Sequence, residues 1–123
     1  LIRDELFEFC QEAQVSCSMT DCWAVRYQKG DQQTIHNHKS WGFTGILYVD
    51  FDPKVHTPTC FVAPWQDPRS DTTTLAKPRD VKEGTIFISP SYTLHFVHPN
   101  QVRKHRTIIS FDLLPKLPDH QSV

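Results

Sequence analysis

From Cys22 to Leu113 the chain is a succession of short β-rich runs cut apart by Pro, Gly, Asn and Asp, and this pattern limits most what it can fold into. "CWAVRYQ" alternates, with Trp23, Val25 and Tyr27 on one face and Cys22, Ala24 and Arg26 on the other. That period of two is what a half-buried strand requires. "GFTGILYVDF" and "TCFVA" follow, the first of them interrupted by glycine; "GTIFISP" and "HRTIISFDLL" are closed by Pro90 and Pro115. Proline cannot donate to a ladder, so it marks a strand end. Ahead of the strands, "LIRDELFEFCQEA" places Ile2, Leu6, Phe9, Cys10 and Ala13 at helical spacing with charges between them. One amphipathic helix followed by many short strands predicts a mainly β domain, a sandwich or barrel with the helix packed outside. The expected bounds are a helix over 1–14, a barrel over 22–113 and an unpacked tail over 114–123. The polar, proline-containing stretch from Pro64 to Gly84 reads as one long loop, a length that in a compact domain points to function or disorder.

A chain of 123 residues suffices for one core. Hydrophobic content of 38% excludes a disordered composition, and a net charge of −1 leaves no electrostatic footprint for nucleic acid or an anionic membrane. No apolar stretch approaches the ~20 residues of a membrane span, and no signal peptide is visible. The first residue is Leu1 rather than Met, which fits a trimmed piece of something longer. Cys10, Cys17, Cys22 and Cys60 form no CxxC pair. They read as buried thiols of a reducing compartment, hence a cytoplasmic protein.

His36 and His38 stand two apart just before the apolar run Gly45-Ile46-Leu47-Tyr48-Val49. On extended backbone both imidazoles point to one side, as two ligands of one metal would. His95, after the turn Pro90-Ser91-Tyr92, is the candidate third ligand. Three ligands on one side leave open positions, the facial arrangement of non-heme Fe(II) sites, although three histidines also suit Zn, Ni or Cu. Arg106, Ile108 and Ser110 share a strand face. An inward guanidinium beside a hydroxyl makes a carboxylate clamp.

"YQKGDQQTIHNHKSWGFTGILYVDF" together with "GTIFISPSYTLHFVHPNQVRKHRTIISFDL" resembles the Fe(II)/2-oxoglutarate-dependent oxygenases. The nearest likeness is to their prolyl-hydroxylase-like branch and to oxygenases of this type in bacteria and their phages, over roughly Trp23 to Leu113. The resemblance implies a double-stranded β-helix, the jelly-roll barrel shared with cupins. It implies Fe(II) on His36, His38 and His95, and 2-oxoglutarate reaching Arg106, Tyr48 and Ser110, with Tyr27 lining the pocket. It also implies dioxygen as co-substrate, a protein, peptide or small-molecule target docking at the Pro64–Gly84 stretch, and Trp41 and Trp65 along the groove. Most of the superfamily has a carboxylate where this chain has His38. Three neutral ligands leave the iron one negative charge short, so His38→Asp is expected to strengthen turnover.

Two other readings share the barrel. Gly30-x5-His36-x-His38 also opens a cupin motif, which makes a three-histidine cupin an alternative. A structural barrel, carried in a phage virion protein or other multi-chain assembly, is the other. His56, His98, His105 and His120 read as solvent-facing, Tyr48 equally as core, and Asp50 and Asp52 as turn formers before Pro53.

Overall fold

Among the residues that the computed structural model describes (2–66, 68–69 and 73–116), one helix precedes eight strands. The helix is α1 (Ile2–Ala13). The strands are β1 (Cys17–Tyr27), β2 (Gln33–His36), β3 (Phe43–Asp50), β4 (Cys60–Gln66), β5 (Thr73–Ala76), β6 (Ile86–Pro90), β7 (His95–Val97) and β8 (Arg106–Pro115). They form two four-stranded antiparallel sheets, in the orders β1-β8-β3-β6 and β2-β7-β4-β5. Tyr27, Ile46, Tyr48 and Ile108 of the first sheet meet Phe61 and Val97 of the second in one buried cluster. This is the two-sheet architecture expected of the strand pattern, in the jelly-roll form that the resemblance implies.

The larger sheet sorts its side chains by parity. Cross-strand partners share a face, and Trp23–Ser110–Ile46–Phe87, Val25–Ile108–Tyr48 and Tyr27–Arg106 are such rows. They point inward, with Thr44 and Asp112 at the same parity. The outer rows carry Phe43–Leu113 and Gly45–Phe111, under α1. Phe9 of the helix meets Phe43 edge-on at 5.2 Å. Gly45 interrupts the apolar strand because the fully buried Phe111 ring lies where its side chain would be. Helix α1 ends at Ala13; Gln14 takes the left-handed conformation (φ 57°) and the Val15 N–H returns to Cys10 O at 3.0 Å, a Schellman-type stop.

Several expectations are corrected. β1 begins at Cys17 rather than near residue 22. A bulge between Met19 and Asp21 slips its register against β8, which erases the alternation by which a strand is recognised. β8 runs to Pro115, two residues past the expected barrel end, and the Lys116 N–H donates to Ser16 O. The remainder of the expected tail, 117–123 with His120, lies outside the described residues. The Pro64–Gly84 stretch is not loop throughout: β4 continues to Gln66 and β5 pairs with it at Phe61–Ala76 and Val62–Leu75. A threonine-rich edge strand has little apolar signal to betray it. Cys22 is exposed on the outward side of edge strand β1, and of the four free thiols Cys60 alone is fully buried. His56 is buried, not solvent-facing: its Nδ1 accepts from the Asp52 N–H and its Nε2–H donates to Lys104 O, both at 2.9 Å. His98 and His105 are exposed as expected. No helix among the described residues is long and apolar enough to cross a membrane.

Candidate metal centre

His36 and His95 are directly opposed residues of the β2–β7 ladder. The turn Pro90–Thr93, closed by Thr93 N–H to Pro90 O at 3.1 Å, brings His95 back to them from β6. His38 lies two residues past the end of β2, in irregular backbone. One ring nitrogen from each of the three comes within 4.8 Å of the others. The rings crowd together, with centroids 4.3 to 5.3 Å apart.

Their outer nitrogens decide which atoms face inward. Nδ1 of His36 donates to Thr34 O at 2.8 Å, and Nδ1 of His95 to Thr93 O at 2.9 Å. Nδ1 of His38 meets Asp112 Oδ1 at 2.9 Å. With all three Nδ1–H groups spent on acceptors, three Nε2 lone pairs remain for one cation. Burial, aided by the neighbouring His36 and His38 and opposed by the bond to Thr93 O, pushes His95 down to about 4. It is therefore neutral near pH 7, as a metal ligand must be.

Arg106 is 2% exposed, with its guanidinium carbon 5.0, 5.5 and 5.8 Å from the ring centres of Tyr27, Tyr48 and Phe51. Nε donates to Thr57 O at 3.0 Å and Nη2 to Thr59 Oγ1 at 3.2 Å. Nη1 is buried and has no hydrogen-bond partner among the described residues. Burial without a counter-anion lowers the Arg106 pKa, with the two tyrosines pulling the other way; burial likewise raises that of Tyr27. A planar fork with two nitrogens pinned and the third empty is ready for one anionic oxygen.

A cavity of about 40 Å³ lies between these groups, lined by the three histidines, Trp23, Tyr27, Thr59 and Ser110 among others. Tyr27 and Ser110, two of the residues singled out in the sequence, are thus part of its lining. Tyr48 and Arg106 sit behind the wall. The Tyr48 hydroxyl accepts the Thr59 N–H at 3.1 Å and so steadies the residue that holds Nη2. A wider groove of about 350 Å³ separates α1 from the outer face of the larger sheet. It is lined mainly by apolar groups such as Leu6, Phe7, Met19 and Leu113 and gathers no convergent polar groups, so it is not the centre of chemistry. Trp41 is exposed, as is Tyr92; the side chain of Trp65 lies outside the described set.

Sequence reasoning missed Asp112, Thr44, Ser91 and Thr59. Asp112 could have been found, since it continues the Arg106, Ile108, Ser110 face by one more step of two. Ser91 and Thr59 left no periodic signal.

A family model described as "Putative 2OG-Fe(II) oxygenase" matches residues 21–112. The chain belongs to this family. Three solved structures share its fold. An oxidoreductase of the 2OG-Fe(II) oxygenase family from Burkholderia pseudomallei superposes with a TM-score of 0.65 at 14% identity, over 89% of this chain and 50% of that one. A prolyl-4-hydroxylase from Pseudomonas putida gives 0.60 at 13%, over 94% and 63%. HygX from Streptomyces hygroscopicus, solved with iron bound, gives 0.60 at 13%, over 83% and 60%. The chain therefore spans less than two thirds of the length of each. No curated protein matches it.

Fe(II) and 2-oxoglutarate are the family's cofactors, and the donors here suit both. Three neutral imidazoles would hold a divalent ion with positions left open. The unpartnered Arg106 Nη1 calls for the oxygen of a carboxylate.

Proposed function

We propose that the chain is the catalytic barrel of an Fe(II)- and 2-oxoglutarate-dependent hydroxylase, with iron on Nε2 of His36, His38 and His95. The observation that carries this is the convergence of three histidines, each with Nδ1 already spent, within 4.8 Å. The iron supplies the place where dioxygen is activated. Overall, 2-oxoglutarate, O2 and a C–H bond become succinate, CO2 and C–OH, with one oxygen atom going to succinate and one to the product.

The protein's own part is to bind, orient and exclude water. Arg106 takes the distal carboxylate through Nη1, steered by the fixed bonds from Nε and Nη2. Ser110 and Tyr27 line the cavity, and the Tyr48 hydroxyl oxygen, by accepting the Thr59 N–H, steadies the residue that pins Nη2. The cavity of about 40 Å³ has room for a few waters, less than a five-carbon dicarboxylate fills. Trp23, 39% exposed and stacked on His38 with ring centres 5.6 Å apart, forms part of its lining. A buried, unpaired guanidinium favours this reading over a three-histidine cupin, which has no use for one.

The substrate we propose is a protein or peptide side chain. Exposed Trp23, and Tyr92 beside the Ser91 carbonyl that holds the His38 N–H, offer flat apolar faces near the histidines. This shifts the docking surface from the Pro64–Gly84 stretch, part of which is β-hairpin, to the rim of the metal cluster. The test is succinate release from 2-oxoglutarate by Fe(II)-loaded protein in air, with and without a peptide library. Release that rises with particular peptides and vanishes in His95→Ala supports the reading. Iron-loaded protein that never forms succinate would sink it. Protein that takes up no iron would return the barrel to a structural role.

A further inference from the structure

Regular structure holds two of the three histidines but not the third. His36 and His95 face each other across the β2–β7 ladder, and each Nδ1 bonds a carbonyl two residues back in its own chain. His38 lies past the end of β2, and the two bonds that hold it come from elsewhere in the fold. Its backbone N–H donates to Ser91 O at 3.0 Å, in the turn between β6 and β7. Its Nδ1 meets Asp112 Oδ1 on β8 at 2.9 Å. That same oxygen accepts from Thr44 Oγ1 on β3 at 3.0 Å, and Thr44 Oγ1 lies 3.0 Å from Ser91 Oγ. The four residues close a ring of hydrogen bonds around the histidine. Ser91, Thr44 and Asp112 are 1, 3 and 5% exposed, so the ring is shut off from water.

A cluster needed only for packing could be built from hydroxyls, because a buried carboxylate carries a desolvation cost that hydroxyls do not. Here the carboxylate is aimed at the outer nitrogen of a metal-facing imidazole. We propose that Asp112 is a positioning residue for the metal. It locks His38 with Nε2 toward His36 and His95, and it lends the centre the negative charge that three imidazoles lack. A carboxylate at the position of His38 would put that charge on the ligand itself; this chain puts it one imidazole away. A carboxylate on the outer nitrogen makes the ring a stronger donor, and loss of such a partner typically weakens metal binding about 10–100-fold. The inference rests on the three-histidine reading above.

The test compares wild type, Asp112→Ala and Asp112→Asn. Fe(II) affinity under nitrogen and Co(II) affinity are measured by competition with a chelating dye. The Co(II) ligand-field spectrum and the melting of metal-free protein are recorded alongside. Asp112→Ala should bind both metals about 10–100-fold more weakly, with an altered Co(II) spectrum. Asp112→Asn keeps an oxygen that can accept both hydrogen bonds while removing the charge, and should fall in between. A merely structural Asp112 would lower the melting temperature and leave the affinity of the folded protein at the wild-type value, which would overturn the proposal. If Asp112→Ala does not fold, the isosteric Asp112→Asn decides alone, and unchanged affinity there overturns the claim about charge. Wild type that binds neither metal defeats the three-histidine reading itself. Wild type and both variants binding equally defeats only the role of Asp112.

Discussion

Arg106→Met removes a guanidinium and leaves an unbranched apolar chain among Tyr27, Tyr48 and Phe51. Without cosubstrate the change is close to neutral for stability. The bonds to Thr57 O and Thr59 Oγ1 are lost, at roughly 1 kcal/mol each. Against this, a buried donor with no partner is relieved, worth about 1–3 kcal/mol. Cosubstrate binding does not share that compensation. A hydrogen bond to a charged group contributes roughly 1.5–3 kcal/mol. Losing the Nη1 contact, with part of a second and the attraction around them, removes about 3–4 kcal/mol. At 1.4 kcal/mol per tenfold, affinity for 2-oxoglutarate falls about 10²- to 10³-fold. The assay is anaerobic calorimetry of Mn(II)-loaded protein titrated with 2-oxoglutarate. Arg106→Lys, which keeps the charge but not the fork, should lie between. A dissociation constant for Arg106→Met within about fivefold of wild type would refute the clamp. So would a parallel loss of Mn(II) affinity, because Arg106 touches none of the three histidines' outer bonds.

Three further outcomes follow from the geometry. His38→Asp, expected from the sequence to strengthen turnover, should instead weaken metal binding, because the new carboxylate faces Asp112 with like charge; the pair His38→Asp/Asp112→Asn should bind better than His38→Asp alone, and equal affinities would refute this. The metal-free fold should lose stability as pH falls from 6.5 toward 4: the unfolded chain protonates His95 at 6.5, while burial holds the folded group down to about 4, so the unfolded state binds more protons across that window and stability is flat above it. Melting scans against pH should show this slope in wild type and less of it in His95→Gln; identical slopes would contradict it. Gly45→Ala drives a methyl group into the Phe111 ring and should cost about 1–3 kcal/mol, read by urea unfolding, with no change there if the ring can yield.

The barrel was legible because its signals are local. Alternation in "CWAVRYQ" and "RTIISF" sorted the side chains onto two faces, and the rows Trp23–Ser110 and Tyr27–Arg106 bring one face of each strand together. The spacing of two linked His36 to His38 as though both lay on one extended strand, and His95 joined them through the turn before it and the family likeness. His38 obeyed no strand period, since the strand ends at His36 and tertiary bonds hold it in place. Asp112 was overlooked for the opposite reason: its parity was plain, but an acid at a strand end reads as surface until a partner is known. His56 reads as exposed because nothing local reveals that the Asp52 N–H and Lys104 O will converge on its ring. The bulge at Met19/Asp21 and the edge strand β5 lie where periodicity fails or apolar content is thin.

The central claim is that the three histidines and Arg106 act as one centre for Fe(II) and 2-oxoglutarate. Its most direct test is an anaerobic titration of the Fe(II)-loaded protein with 2-oxoglutarate, following the weak metal-to-ligand charge-transfer absorption in the visible. The account predicts a band that develops only when both are present, saturates at one equivalent per chain, and is lost in His95→Ala. A protein that holds iron yet develops no band on adding 2-oxoglutarate would contradict it.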